Sequence, residues 1–246
     1  MAAQSRWKAC YWVNLSVARS LRLTLQSVYE TLAISAPTVL DAALGRTTKA
    51  RCDARLERWS ARIVRATRMA VTVRGRENIA SDETYLVMSN HQSHYDIPVL
   101  FHVLGKNLRM VAKQELFQVP IFGRAMREAG FISVDRKNRE SAIRSLEEAK
   151  AALRGGTHVW IAPEGTRSLD GRMGPFKKGG FVLAEDLGLR ILPVTISGTR
   201  NVLPTRGALT SPDQPVVVTF HAPIAPNVDR DSVMRAVRDA ITSALP

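Results

Sequence analysis

The strongest constraint on the fold is an alternation, from about residue 70 onward, between short apolar runs and stretches with helical periodicity. The apolar runs predict strands at 71–75, 84–90, 108–113, 130–134, 158–163, 190–197 and 215–224. Helices are predicted at 96–104, within 114–129, and at 138–154, 176–187 and 228–244. Strands that alternate with helices form a mostly parallel sheet whose faces the helices cover. We therefore predict one α/β domain over residues 70–246, with a mostly parallel sheet flanked by helices.

Residues 1–69 have a different character and predict an amphipathic, two-helix segment that associates with a membrane. Residues 7–32 are amphipathic at the helical period, and Pro37 is expected to interrupt that helix. The second helix, predicted at about 48–69, aligns five arginines in one stripe beside an apolar stripe; they are Arg51, Arg55, Arg58, Arg62 and Arg65. Arginine and tryptophan beside an apolar face are typical of an interfacial helix. The alternative is a helical hairpin that packs on the main domain and leaves its arginines solvated.

The charge is concentrated in the same segment. The net charge is +13, of which +10 belongs to residues 1–76, and a basic segment attracts either nucleic acid or anionic lipid. The longest uncharged stretches there, 9–18 and 31–40, are half of the roughly 20 apolar residues that a membrane-spanning helix needs, so we predict no span. The basic excess lies in amphipathic helices and no nucleic-acid recognition motif accompanies it, which favours lipid over nucleic acid.

Polar residues cluster where four of the predicted strands end. The clusters are "NHQSHYD", "AKQEL", "SVDRKNR" and "PEGTRS". Loops that leave the carboxyl ends of parallel strands build the sites of such folds, so these clusters predict one site at that edge.

The first cluster contains a histidine and an aspartate that a tight turn can bring together. His91 needs one ring nitrogen to accept a proton and the other held by a carboxylate, and Asp96 can supply that carboxylate. The alternative is that Asp96 only caps the helix that follows. The sequence argues against a metal site of His91, His94 and Asp96, because no later His, Asp or Cys group has ligand spacing, and Ser93 lacks the GxSxG surroundings of a nucleophile. A histidine base without a protein nucleophile implies that the substrate supplies the nucleophile.

The remaining clusters are suited to binding phosphate. In "PEGTRS", Gly165 permits a sharp turn and Arg167 offers a planar guanidinium. Lys113 and Arg136 leave two other strands, so the three cations can surround one or two phosphate groups. The alternative is ordinary surface charge.

The order of these motifs closely resembles that of the glycerolipid acyltransferases, specifically the bacterial 1-acyl-sn-glycerol-3-phosphate acyltransferases. The resemblance rests on "NHQSHYD", "GFISVDR", "PEGTRS" and "ILPVTISG", supported by "AKQEL" and "PFKKG", and it covers about residues 70–220. The HxxxxD pattern alone is not specific, whereas all the blocks in this order are.

This resemblance implies a role for each motif. His91 would be the general base that deprotonates the sn-2 hydroxyl of lysophosphatidic acid, and Asp96 would orient it. The acyl group would come from the thioester of acyl-CoA or acyl carrier protein, with no cofactor or metal. The residues expected to bind the acceptor phosphate are Lys113, Arg136, Glu164, Gly165, Thr166 and Arg167. Those expected to line the pocket are Ser93, Ser133, Leu192, Pro193 and Val194.

The resemblance also implies a peripheral or monotopic enzyme of phospholipid biosynthesis at the cytoplasmic face of the inner membrane. Its expected partners are an anionic phospholipid surface, a lysophospholipid and the acyl donor, and no nucleic acid. The sequence departs from the family at Ser133 and Ala162, where an aromatic residue is common, which leaves acyl length and acceptor identity open. The alternatives are the same chemistry on another lysolipid, such as a lyso-ornithine lipid, and a non-catalytic membrane-binding protein.

Overall fold

The chain folds around a seven-stranded sheet. In a computed structural model, the described residues are 2–105, 107–135, 139–226 and 229–246, and for 2–16 and 139–143 only the backbone is described. The strands are β1 (Ala70–Arg74), β2 (Leu86–Ser89), β3 (Leu108–Lys113), β4 (Ile132–Val134), β5 (His158–Ile161), β6 (Ile191–Ser197) and β7 (Pro215–Phe220). Their spatial order is β1-β7-β6-β2-β5-β3-β4. Neighbouring strands are parallel except β6 and β7, which confirms the predicted mostly parallel sheet.

Helices cover both faces of this sheet. They are α1 (Ala2–Ala43), α2 (Lys49–Thr67), α3 (Asp96–Leu104), α4 (Phe122–Glu128), α5 (Arg139–Arg154), α6 (Gly179–Leu187), α7 (Thr199–Val202) and α8 (Arg230–Ser243). Side chains alternate between two cores along each strand. On β2, for example, Val87 joins the core beneath α2 and α3, whereas Leu86 and Met88 join the core beneath α5, α6 and α8.

The first helix corrects one expectation, because it passes through Pro37 and ends at Ala43. A proline inside a helix removes a backbone donor and costs about 3 kcal/mol. Packing offsets this cost: Arg55 of α2 donates to the Thr38 hydroxyl at 3.2 Å and binds Asp41 at 2.6 Å, which holds the turn beyond the proline. None of the described helices is long and apolar enough to span a bilayer.

The two N-terminal helices pack on the sheet domain in different ways. Helix α2 contributes Leu56, Ile63 and Val64 to the main core. Helix α1 instead packs through its polar side: its Thr24 hydroxyl donates to the hydroxyl of Thr210 at 3.1 Å, and Ser27 Oγ lies 2.8 Å from the hydroxyl of Tyr95. The division of the chain at residues 69 and 70 remains a prediction, since α2 shares its core with the sheet.

Candidate active site

Four neighbouring strands deliver the candidate site residues to one edge of the sheet. Strands β6, β2, β5 and β3 are parallel, so their carboxyl ends lie side by side. His91 follows β2, Glu164 follows β5, Thr199 follows β6, and Lys113 ends β3. The sheet therefore brings together polar groups that are separated by up to 108 residues in the sequence.

His91 and Asp96 form the pair that the sequence predicted. His91 Nδ1 lies 2.7 Å from Asp96 Oδ2, and the side chains are 15% and 0% exposed. The structure gives no hydrogen bond from a described residue to His91 Nε2. One ring nitrogen is thus held by a buried carboxylate, and the other is left for a proton transfer.

Asp96 holds the whole turn and not the histidine alone. Its Oδ2 also accepts from the backbone N–H groups of Gln92 at 2.8 Å and Ser93 at 3.0 Å. Both donors precede Asp96 in the chain, so its side chain stabilises the turn and not the first turn of the helix. The N-cap residue of α3 is Tyr95, whose side chain makes no capping hydrogen bond. The alternative capping role is therefore wrong for Asp96, which is the first residue of α3 and places its negative charge at the positive end of the helix.

Thr199 completes the environment of Asp96, and sequence reasoning missed it. Its hydroxyl donates to Asp96 Oδ1 at 2.5 Å, and both residues are fully buried. Thr199 lies directly after Gly198, whose φ of +94° and close approach to the Pro215 carbonyl leave no room for a Cβ. The sequence signal was the polar "SGT" at the end of an apolar strand, but placing it beside His91 required the strand order.

The ring of His91 is also confined from its sides. The edge of its ring meets Trp160, with centroids 5.3 Å apart and planes at 87°. The Trp160 indole N–H in turn donates to Ser89 Oγ at 2.9 Å. Asn90, the residue before the histidine, exchanges two 2.8 Å hydrogen bonds with the backbone of Ile196 and so fixes β2 to β6.

Glu164 joins the turn of His91 to the loop before α6. One of its oxygens accepts from the His91 backbone N–H at 3.3 Å, and the other accepts from the Gly174 N–H at 2.7 Å. Burial raises the pKa of Glu164, although the N–H groups of Gly174 and His91 partly counteract this. Glu164 therefore acts on the backbone of two loops, which differs from the expected contact with an acceptor phosphate.

The predicted phosphate-binding residues lie at the same edge but are spread along it. Gly165 has a φ of +70°, which fits the expected sharp turn, while Thr166 is exposed. Arg167 is half-buried and donates to the Thr205 carbonyl at 3.5 Å. Lys113 is exposed, pairs with Glu115 at 2.8 Å, and lies two strands from β2, about 10 Å away at the usual strand spacing. Arg136 lies outside the described residues.

His94 is close enough to His91 and Arg167 to interact with both electrostatically. Desolvation by the surrounding atoms, followed by electrostatic repulsion from Arg167, lowers the pKa of His94 to about 4, although its side chain keeps an exposed face. His94 is therefore neutral near pH 7. Among the described residues, no group of three or more His, Cys, Asp or Glu side chains is arranged to hold a metal ion.

The expected pocket residues have a different location from the one predicted. Leu192 and Val194 are fully buried in the core, because β6 is a central strand covered on both faces, and Pro193 between them is buried as well. Ser93 is fully buried, and its hydroxyl donates to the Leu203 carbonyl at 2.8 Å. Ser133 is half-buried on β4, and its carbonyl accepts from the Ser145 hydroxyl. The structure thus places four of the five beneath the site and not on a wall of it.

The fold is that of an α/β enzyme, with an oriented histidine at the carboxyl edge of a mostly parallel sheet. The sequence model of the acyltransferase family matches residues 70–197, just over half of the chain. The chain belongs to the acyltransferase family.

Individual relatives are similar over parts of their length. A 1-acyl-sn-glycerol-3-phosphate acyltransferase of Chlamydomonas reinhardtii is 36% identical over 178 residues, which cover 72% of this chain and 53% of that protein. A chloroplastic one of Brassica napus is 38% identical over 155 residues, covering 62% and 44%. The chain thus spans about half the length of these relatives.

A solved structure extends the similarity to nearly the whole fold. The 1-acyl-sn-glycerophosphate acyltransferase PlsC of Thermotoga maritima superimposes with a TM-score of 0.77 at 27% identity, over 92% of this chain and 94% of that one.

Proposed function

We propose that this protein transfers a fatty acyl group from a thioester to the sn-2 hydroxyl of lysophosphatidic acid at a membrane surface. The observation that carries the proposal is the His91–Asp96 pair, in which a 2.7 Å bond holds Nδ1 while Nε2 has no hydrogen bond to a described residue. Family membership and the names of the similar proteins support the reaction and the acceptor.

In the proposed mechanism, His91 Nε2 takes the proton of the acceptor hydroxyl while the hydroxyl oxygen attacks the thioester carbonyl carbon. The C–S bond then breaks, and the departing thiolate receives the proton from Nε2, so that the histidine returns to its starting state. Asp96 keeps Nδ1 protonated and balances the imidazolium charge that forms between the two steps. General-base assistance of this kind contributes about 10²–10⁴ in rate.

The acceptor phosphate would bind beside the loop that follows β5. Arg167 is half-buried near His94, and a guanidinium binds phosphate through paired N–H donors. Lys113 is exposed further along the same edge. We propose Arg167 as the main phosphate ligand and Lys113 as a secondary, longer-range charge.

Membrane binding would use α1, whose burial is the reverse of that of an ordinary surface helix. Its exposed apolar side chains repeat at helical spacing and include Leu25 at 60% and Val28 at 54% exposure; the others in the stripe are Val17, Leu21, Tyr29 and Leu32. Its polar side faces the protein, where Glu30 is buried and binds Arg62 at 3.2 Å. An apolar stripe kept in water is unfavourable, and a lipid leaflet covers it. We propose a peripheral or monotopic location on an anionic leaflet, at the cytoplasmic face of the inner membrane.

The test follows thiol release from a long-chain acyl-CoA and, separately, from acyl carrier protein, each with and without lysophosphatidic acid. We expect acceptor-dependent release by the wild type and a loss of about 10²–10⁴ in His91→Ala. His102→Ala is the matched control, since His102 is an exposed histidine on α3. Thiol release that occurs only with a different lysolipid would support the same mechanism with another acceptor. No release with any acceptor, from folded protein, would favour the non-catalytic alternative.

A further inference from the structure

The exposed large apolar side chains of the described residues lie on α1 and in a few loops. Eight of the twelve in the described part of the chain lie on α1 or in the turn that ends it. The other four lie in loops that leave the carboxyl ends of β3, β5 and β6; they are Val119, Ile121, Leu169 and Leu209. Hence all the described ones outside α1 lie at the edge of the sheet that holds the candidate active site.

Side-chain contacts join helix α1 to this edge of the sheet. Arg19 binds Asp213 at 2.9 Å, and Thr24 binds Thr210 at 3.1 Å, so α1 is fastened to the loop that carries Leu209. Helix α4, which begins one residue after Ile121, packs against α1 as well.

The loop between β3 and α4 has a backbone that its residues do not favour. Ile121 has φ +64° and ψ −58°, and the Phe122 N–H donates to the Pro120 carbonyl at 2.7 Å. This is the rare and strained form of the γ-turn, and a β-branched residue with positive φ is a genuine outlier. Glycine adopts this conformation without a steric penalty.

The side chains at this turn are only partly buried, so packing does little to offset the strain. Ile121 is 48% exposed and Val119 is 45% exposed. A strained backbone and an exposed apolar side chain are both unfavourable in water, and strain of this kind points to a functional contact.

We propose that Val119 and Ile121 form a second membrane contact, separate from the α1 stripe, which inserts into the leaflet and seats the carboxyl edge of the sheet on it. The proposal rests on the proposed function in that the protein works at a lipid surface. A lipid partner is favoured because the loop leads into α4, which packs against α1. The exposed cations Lys113 and Arg124 flank the loop, where they pair with Glu115 at 2.8 Å and Glu128 at 4.0 Å, and exposed cations of this kind suit a surface of anionic headgroups. With both contacts inserted, the acceptor reaches His91 without leaving the leaflet.

The test compares three variants of the full chain, each changing a different property of the turn. Ile121→Gly removes both the backbone strain and the apolar side chain. Ile121→Asn introduces a polar residue that tolerates positive φ. Ile121→Leu keeps an apolar side chain at this position. Binding is measured by sedimentation with vesicles of phosphatidylcholine and phosphatidylglycerol, and stability by thermal unfolding without lipid. Leu25→Ser on α1 is the comparison for the first contact.

We expect Ile121→Gly and Ile121→Asn to bind vesicles about tenfold more weakly, because part of an isoleucine side chain no longer transfers to lipid. Ile121→Gly should lose no thermal stability, since relief of strain offsets the greater freedom of its unfolded chain. Ile121→Leu should bind like the wild type. A turn that only supported the fold would instead give lower thermal stability and unchanged vesicle binding.

The proposal is overturned if Ile121→Gly binds vesicles as tightly as the wild type. It is also overturned if light scattering shows a wild-type dimer that Ile121→Gly does not form, or if this variant loses affinity for acyl carrier protein and not for vesicles. In either case the turn would bind protein. Vesicle binding decides this inference even if the wild type transfers no acyl group, so failure of the proposed function is a separate result.

Discussion

Replacing Asp96 by asparagine separates the two duties of this residue, which are to hold a turn and to balance the charge of a histidine. The carboxylate accepts three hydrogen bonds at Oδ2 and one, from Thr199, at Oδ1. In Asp96→Asn the amide oxygen can take the place of Oδ2 and accept from the same three donors. The amide nitrogen then donates to the Thr199 oxygen, whose hydroxyl rotates away. Every buried polar atom keeps a partner, so the turn should survive.

The loss of charge is expected to appear in the reaction and not in the fold. Opposite unit charges at about 4 Å attract by about 4 kcal/mol at an effective dielectric constant of 20. If Asp96 balances the imidazolium of His91, this corresponds to a decrease in kcat of about a thousandfold. Because every buried oxygen and nitrogen atom keeps a hydrogen-bond partner and only the Thr199 O–H changes its direction, we expect the free energy of unfolding to change by less than about 1 kcal/mol.

The assay measures kcat from acceptor-dependent thiol release and the free energy of unfolding from urea denaturation. Asp96→Ala is the comparison, because it removes the turn bonds as well and should lose both activity and stability. The double variant His91→Ala with Asp96→Asn should be no slower than His91→Ala alone, since the two side chains act as a unit. Asp96→Asn with more than a tenth of the wild-type kcat would refute the charge-balancing role and leave Asp96 as a turn residue.

Three further predictions concern neighbouring groups. Thr199→Val removes a buried hydroxyl that donates to Asp96, so we expect a loss of about 1.5–3 kcal/mol in urea denaturation, which Thr199→Ser should recover and which an unchanged midpoint would contradict. Glu164→Gln sets an NH₂ group against a backbone N–H, so kcat/KM should fall about tenfold or more in the thiol assay, and wild-type kinetics would refute the bridging role. Burial lowers the pKa of His158, whose Nδ1 accepts the Tyr85 N–H at 3.0 Å, so the unfolded state binds more protons and stability should fall as the pH drops below about 6.5. His158→Asn keeps an acceptor that does not titrate, and an identical pH profile for its unfolding would count against this assignment.

The strands and most helix bounds could be predicted because each has a local signal. The apolar run of β6 is buried along its length, and the periodic helix predicted at 138–154 is α5 at Arg139–Arg154. Pro37 misled the prediction because its cost is local, whereas the contacts of Arg55 that offset it join two helices. The His91–Asp96 pair was predictable because both partners lie within six consecutive positions of one turn.

The rest of the site depends on strand order, which no local pattern encodes. Thr199 reaches Asp96 across 103 residues only because β6 pairs with β2, and Glu164 reaches His91 only because β5 pairs with β2 on its other side. The same cause explains the misplacement of Leu192 and Val194. Their motif follows the family pattern, but a central strand buries its side chains on both faces, so they support the site from below.

The reversed burial of α1 links the fold to the proposed place of the reaction. A helix that faces the protein with hydroxyl groups needs specific partners, and Ser27 has one in Tyr95, a residue of the turn that holds His91, at 2.8 Å. Tyr95 in turn lies 2.9 Å from the Thr210 hydroxyl, in the loop that carries Leu209. The surface proposed to enter the lipid is therefore joined by hydrogen bonds to the turn that holds His91. A leaflet that binds α1 would also set the distance between His91 and the headgroup layer. The hydroxyl and phosphate of the proposed acceptor lie in that layer.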